Sequence, residues 1–332
     1  MNYNLLVNTM SIQTESYNSH FMERYLKRFL KKNQIPYETD TYGNIYATKG
    51  KADLYPTMVS HIDTVHEINM NSVVKRHNDI LYSIDDSTME RTGIGGDDKV
   101  GVFITMSCLL HFENFKAVFF KDEEVGCVGS SQCNAKFFDD STIVLQCDRK
   151  GMGDFVSEIY GVQLCDQELL TDIDDVLAHY KRKSVSGGLT DVKSIAKVND
   201  VQCANINCGY YDPHTDNEFI SITDVDNTLS FCIDVFTITS DKRYTMKRTY
   251  NLYPYQSKKY SSYNNYYDWD DDAYMTPVRS DPSYQSYGQV CCDCDGIDTA
   301  YDPYMHQNFC YTCNTYTDYD AKTNIQPKTT SN

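Results

Sequence analysis

The sequence predicts an α/β protein: a mostly parallel mixed sheet flanked by helices, followed by a small cysteine-rich module. Three observations carry that prediction. Short apolar runs (Met58-Val59-Ser60, Ala117 to Phe120, Thr142 to Gln146, Cys203 to Asn207) alternate with segments of helical period, as a two-sided parallel sheet requires. Polar and acidic residues stand directly after these runs, where open α/β sheets place their ligand sites. Beyond about residue 240 the composition turns to Tyr, Ser, Asp and Asn with little apolar periodicity.

In chain order, Phe21, Tyr25, Leu26, Phe29 and Leu30 recur at helical spacing, predicting one amphipathic helix from Ser11 to Lys32. Extended segments are expected at Tyr37 to Thr39 and Asn44 to Thr48, joined by a turn at Tyr42-Gly43-Asn44. Met58-Val59-Ser60 is a strand leading into His61-Ile62-Asp63-Thr64-Val65, and Val73 to Ser83 reads as a hairpin. Gly93-Ile94-Gly95-Gly96-Asp97-Asp98-Lys99 opens a helix that runs to His111. Strands follow at Ala117 to Phe120 and Thr142 to Gln146, the second ending at Cys147-Asp148-Arg149. A helix is expected from Gln167 to Lys181, a glycine turn at Gly187-Gly188, a short helix, a strand from Cys203 to Asn207 and a last helix from Asp224 to Phe236. The expected domains are a catalytic domain over residues 1–240, a low-complexity linker over 241–288, a zinc-ribbon-like module over 289–316 and a tail over 317–332.

The 332 residues are 41% hydrophobic and carry a net charge of −17. Residues 241–332, with twelve Asp, no Glu and nine Lys plus Arg, contribute −3, leaving −14 on the first 240. Such a surface speaks against general binding to a phosphate backbone, so no nucleic acid partner is expected. No run reaches the roughly 18 apolar residues of a membrane span, and no early segment has signal-peptide form. Thirteen cysteines, eight scattered through the first 240 residues and five within 291–313, give an odd total that fits a reducing, cytoplasmic setting.

The chemistry gathers at strand ends and at one helix start: His61 and Asp63, Asp97, Glu123 and Glu124, Asp148, His214. Glu123 and Glu124 are adjacent. Neighbours on extended backbone point opposite ways, so one carboxylate can hold a metal while the other handles a proton. Two histidines and three carboxylates form the donor set for a pair of zinc-like ions roughly 3.5–4 Å apart.

Ser60-His61-Ile62-Asp63-Thr64-Val65, Gly96-Asp97-Asp98-Lys99, Asp122-Glu123-Glu124-Val125-Gly126, Cys147-Asp148-Arg149 and Gly209-Tyr210-Tyr211-Asp212-Pro213-His214-Thr215 resemble, in order and approximate spacing, the five metal-site motifs of the co-catalytic zinc exopeptidases of the peptidase T and glutamate-carboxypeptidase type. The resemblance implies that Asp97 bridges two ions (Zn2+, or Co2+ or Mn2+), that His61 and Asp148 complete one site, and that Glu124 and His214 complete the other. It implies Glu123 as general base toward a metal-bridging water and Asp63 as the partner of the second ring nitrogen of His61. Gly187-Gly188-Leu189-Thr190-Asp191 resembles a loop lining the active site, which makes Asp191 a structural or substrate-side residue. Members of these families carry an inserted lid or dimerisation domain after the position of Asp148. Only 65 residues separate Asp148 from His214 in this chain, and Arg149 and Lys150 are the local candidates to supply the lid's positive contacts. His66 and Glu67 are expected on a solvated turn.

Cys291-Cys292-Asp293-Cys294, fifteen residues, then Cys310-Tyr311-Thr312-Cys313 match the paired knuckles of a tetrahedral structural zinc site. Cys291, Cys294, Cys310 and Cys313 would be the ligands. These features together predict a zinc metallopeptidase acting on small peptides or N-acyl amino acids, with the C-terminal module free to recruit a protein partner. A peptidase scaffold turned binding or assembly module is the alternative reading.

Overall fold

The computed structural model describes residues 1–246 and three short strands further on. The chain divides into two compact units, Met1–Leu252 and Tyr253–Asn332.

The first unit opens with helices α1 (Tyr3–Ser11) and α2 (His20–Lys32), then strands β1 (Tyr37–Thr39), β2 (Ile45–Lys49) and β3 (Tyr55–His61). The hairpin β4 (Ser72–His77) and β5 (Ile80–Asp85) and the short β6 (Arg91–Thr92) precede α3 (Gly96–His111) and β7 (Phe115–Phe120). The short α4 (Val128–Ser131) leads to β8 (Ser141–Arg149), β9 (Asp154–Ile159) and β10 (Val162–Gln163). Next come α5 (Gln167–Asp172), α6 (Asp174–His179), β11 (Lys183–Gly187) and α7 (Asp191–Val198). β12 (Cys203–Asn207), β13 (Tyr210–Tyr211), β14 (Phe219–Ser221) and α8 (Ile222–Ile238) complete it.

Nine strands form the main sheet, in the order β1-β2-β7-β3-β8-β12-β9-β10 with β11 beside β9. The central four, β7, β3, β8 and β12, run parallel. Their side chains alternate between two cores. Phe115, Ala117 and Phe119, with Ile143, Leu145 and Cys147, join the cluster containing residues of α1, α2, α3 and α8. Val118, Phe120, Val144 and Cys203 face the other way, against Phe138 and the α7 residues Val192 and Ile195. Burial on both faces is why these strands read as unbroken apolar runs. A smaller sheet, β13-β14-β5-β4 with β6 against β5, stands apart from the main one.

Two expectations, both about helices, are corrected. The single helix over 11–32 is two helices, because residues 12–19 turn away to bond the segment after β3: Thr14 Oγ1 donates to Ile62 O (2.6 Å) and Ser16 Oγ to Asp63 Oδ2 (2.7 Å). The helix over 167–181 breaks at the fully buried Ile173 into α5 and α6. The span between Asp148 and His214, read from its length as lacking a lid, adds strands to the sheet edge, β9 antiparallel to β12 and β11 parallel to β9. The first unit also runs past residue 240. Tyr244 is 2% exposed, its N–H donates to Thr142 O (2.9 Å), and its carbonyl accepts from Gln202 (3.0 Å).

In the second unit β15 (Thr299–Asp302), β16 (Gln307–Cys310) and β17 (Thr315–Thr317) form an antiparallel sheet that pairs Cys310 with Thr299 and Thr315. Cys291, Cys294 and Cys313, residues 247–288 of the linker and the tail from 318 lie outside the described residues. Among the described residues no helix is long and apolar enough to cross a membrane.

Candidate active site

β7 and β8 flank β3 on opposite sides, so the carboxyl end of β3 is the switch point of the sheet, the place where open α/β sheets form their ligand crevice. His61 is the last residue of β3 and is fully buried. Asp148 lies near the end of β8, Glu123 and Glu124 follow β7, Asp97 opens α3, and His214 stands in the loop between β13 and β14. All seven residues singled out in the sequence converge on this crevice.

Asp97 occupies the middle. Its Oδ1 lies 3.3 Å from Nε2 of His61 and its Oδ2 lies 3.4 Å from Nε2 of His214. On the His61 side, Asp148 Oδ1 is 3.5 Å and Glu123 Oε2 is 3.9 Å from Nε2. On the other, Glu124 Oε2 is 3.1 Å from Nε2 of His214. One carboxylate thus spreads its two oxygens between two histidine-and-carboxylate groups. A metal fits this set: His61 Nε2 and Glu124 Oε1 are buried without a hydrogen-bond partner, and single ligand atoms of His61, Asp97 and Glu124 all lie within 4.8 Å of one another.

Asp63 does more than orient a ring. Its carboxylate accepts the N–H of Glu123 (3.0 Å) and of Glu124 (3.3 Å), as well as the Ser16 hydroxyl. Nδ1 of His61 faces both the Asp63 carbonyl (3.1 Å) and its Oδ1 (3.5 Å), which turns Nε2 toward the crevice. Asp122, at φ 58 just before the glutamates, is held by Tyr17 N–H (2.6 Å) and the Tyr42 hydroxyl (2.7 Å).

The electrostatics suit a cation. Five carboxylates surround two imidazoles. Burial, with neighbouring Asp148 and Asp191, pushes Glu123 up to about 9; burial and Asp97 push Asp148 up to about 7. Burial would raise Asp97 too, but His214 and His61 hold it below the usual carboxylate range. Hydrogen bonds to Asp97 and Glu124 raise His214 to about 10. The surplus negative charge is what a divalent ion would neutralise.

Two substrate-side candidates are otherwise engaged. Arg149 Nε is paired with Asp154 Oδ2 at 2.7 Å. Asp191 is fully buried at the start of α7, its Oδ2 accepting from Gln146 Nε2 (3.1 Å). No motif in the sequence marks that Gln146. Its amide also donates to Asp148 Oδ2 (3.1 Å), and its carbonyl oxygen accepts from Val192 N–H (3.1 Å). A polar residue in mid-strand is the one signal that could have found it. Cys127, whose Sγ donates to Glu123 Oε1 (3.2 Å), is likewise unmarked by any motif. His66, expected on a solvated turn, instead packs at 18% side-chain exposure against a fully buried Glu218.

No family model matches the sequence, and no curated protein matches it. Solved structures do. The chain superposes on aminopeptidase PepT from Bacillus cereus with a TM-score of 0.59 at 13% identity, covering 71% of this chain and 97% of that one. The two chains share one fold. A tripeptidase from Staphylococcus aureus gives 0.58 at 13% identity over 71% and 97%. An aminopeptidase from Desulfurococcus kamchatkensis gives 0.54 at 15% identity over 72% and 94%.

Proposed function

We propose that the chain is a metal-dependent hydrolase of the exopeptidase type, cleaving the amide bond of short peptides or N-acyl amino acids. The observation that carries this reading is Asp97, set between His61 and His214 with an oxygen toward each. The fold, shared with proteins named as an aminopeptidase and a tripeptidase, favours peptides among the amides such a site can hydrolyse. His61, Asp97 and Asp148 would hold one ion and Asp97, Glu124 and His214 a second, with zinc, cobalt and manganese all suited to the donors. Ions bound there would polarise the scissile carbonyl and make water acidic enough to lose a proton near neutrality.

Glu123 stands beside the His61 group without being needed as a ligand. It would accept the proton of the attacking water on a carboxylate oxygen and return it to the leaving amine. Asp63, bonded to the backbone of both glutamates, keeps the base and the ligand apart in their separate jobs.

The test is Glu123→Gln. It should retain the metal content of the wild type and lose about 10²–10⁴-fold in kcat on whichever di- or tripeptide, N-acyl amino acid or aminoacyl amide the wild type cleaves. Full activity in that variant would remove the general base from the scheme.

A further inference from the structure

Glu218 lies four residues after His214 and is fully buried. Both of its oxygens are spent on the glycine loop that opens α3: Oε2 accepts the N–H of Gly95 (2.7 Å), and Oε1 accepts the N–H of Asp97 (3.1 Å). His66 closes the outer side, its Nε2 2.9 Å from Oε2. Both oxygens already accept backbone N–H groups, so the imidazole is assigned as the donor to Oε2. Arg91 Nη2 donates to the carbonyls of Asn217 and Glu218 (3.0 Å each), fixing the same segment from behind.

The loop is shaped to receive this pair. A side chain at Gly93 would overlap the His66 ring, and a Cβ at Gly96 would stand 2.7 Å from the Tyr210 Cβ and 3.2 Å from Glu218 Oε1. Gly95 itself sits at φ 66, a conformation that costs glycine little. A buried carboxylate is tolerated only with its hydrogen bonds made, and these donors all belong to the segment that aims Asp97 or to the cover above it.

We infer that Glu218 is a positioning residue of the metal centre. It ties the backbone of Asp97 to the loop that carries His214, and His66 holds Glu218 in place. This rests on the metal-site reading above, and it adds that the spacing between the bridging carboxylate and His214 is set from behind, by one side chain gripping two backbone N–H groups. Gln at 218 turns one acceptor into a donor facing a donor, so either Gly95 or Asp97 must move, and ligand shifts of this kind cost metal affinity about 10–100-fold.

The experiment is calorimetric titration of metal-stripped full-length protein with Zn2+ and with Co2+, on the wild type and on Glu218→Gln, His66→Gln and His66→Leu, beside steady-state kinetics. Glu218→Gln should bind at least one of the two ions assigned to the crevice 10–100-fold more weakly, with any uptake by the C-terminal cysteines unchanged, and on a cleaved peptide kcat should fall with KM near the wild-type value. His66→Gln keeps a donor and should stay within threefold of the wild type; His66→Leu removes it and should weaken binding tenfold or more. A folded Glu218→Gln that binds both ions with wild-type affinity overturns the inference. If that variant does not fold, equal affinities in His66→Gln and His66→Leu overturn it instead. Weakened binding supports it even where no peptide in the screen is cleaved, so the substrate reading can fail separately. A wild type that takes up no divalent ion overturns this inference and the metal site together.

Discussion

Two contacts decide which way the Glu123 carboxylate faces. Its Oε2 looks across 3.9 Å to Nε2 of His61, and its Oε1 receives the thiol of Cys127. Cys127 is 3% exposed and sits at φ 54, where the chain turns back after the glutamates. The turn brings its Sγ to 3.2 Å, and the thiol restrains rotation about the last Glu123 torsion. Removing one weak hydrogen bond costs about 1 kcal/mol, which is about fivefold in rate. Cys127→Ala should therefore lower kcat about fivefold with KM unchanged. Cys127→Ser, which restores a donor at the same place, should recover most of the loss. Steady-state kinetics on one peptide with the three proteins decides it; a Cys127→Ala enzyme with wild-type kcat means that backbone bonds alone hold Glu123.

At the scale of elements, α2 is tied to the approach to the glutamates by one ion pair. Glu23 Oε1 meets Lys121 Nζ at 2.8 Å, and Lys27 adds a longer contact at 3.4 Å. Half-burial works to raise Glu23, but these two cations outweigh it and hold its carboxyl below the ordinary value. A folded-state pKa below the unfolded one means that the pair stabilises above about pH 4.5 and that the stabilisation is lost as pH falls through the depressed value. With both side chains about one-fifth exposed, the effect should be under about 1 kcal/mol. Urea unfolding of wild type and Glu23→Gln should show a stability gap at pH 7 that narrows as the pH falls below about 4.5; a gap independent of pH contradicts the ion-pair account. Contacts of this kind also mark where sequence reading stops. The parallel strands and the seven crevice residues were legible because a buried strand advertises itself by composition, and its carboxyl end is fixed by the chain direction. The break between α1 and α2 was not, because it depends on Thr14 and Ser16 bonding residues nearly fifty positions away. Glu218 is illegible for a related reason. It acts on backbone N–H groups of Gly95 and Asp97, and no side-chain pattern reports a backbone donor.

For the whole molecule, the decisive question is where the first unit ends and what the remaining chain adds to it. Residues 241–246 belong to the fold. Tyr244 is buried, its hydroxyl donates to Asp172 (2.7 Å), and Val201 and Thr245 form an isolated bridge. Burying the ring and keeping its two backbone hydrogen bonds stabilises by about 3 kcal/mol. A chain ended at residue 240 should thus melt about 6–12 °C below one ended at residue 246, as differential scanning calorimetry would show; equal melting temperatures would place the boundary at 240 after all. Beyond that boundary, we propose that Cys291, Cys294, Cys310 and Cys313 hold one structural zinc. A module this small has little core of its own, so its folding free energy would come mostly from the metal. Metal analysis of purified protein should then find one more zinc per chain in the full length than in the chain ended at residue 246. Replacing Cys291 and Cys294 by Ser should remove that extra zinc while leaving peptide hydrolysis unchanged, because no residue assigned to the metal centre or to its support lies beyond Glu218. Equal zinc content in the long and short chains would leave the four thiols without a metal and would remove the physical reason for a folded module at that end of the chain.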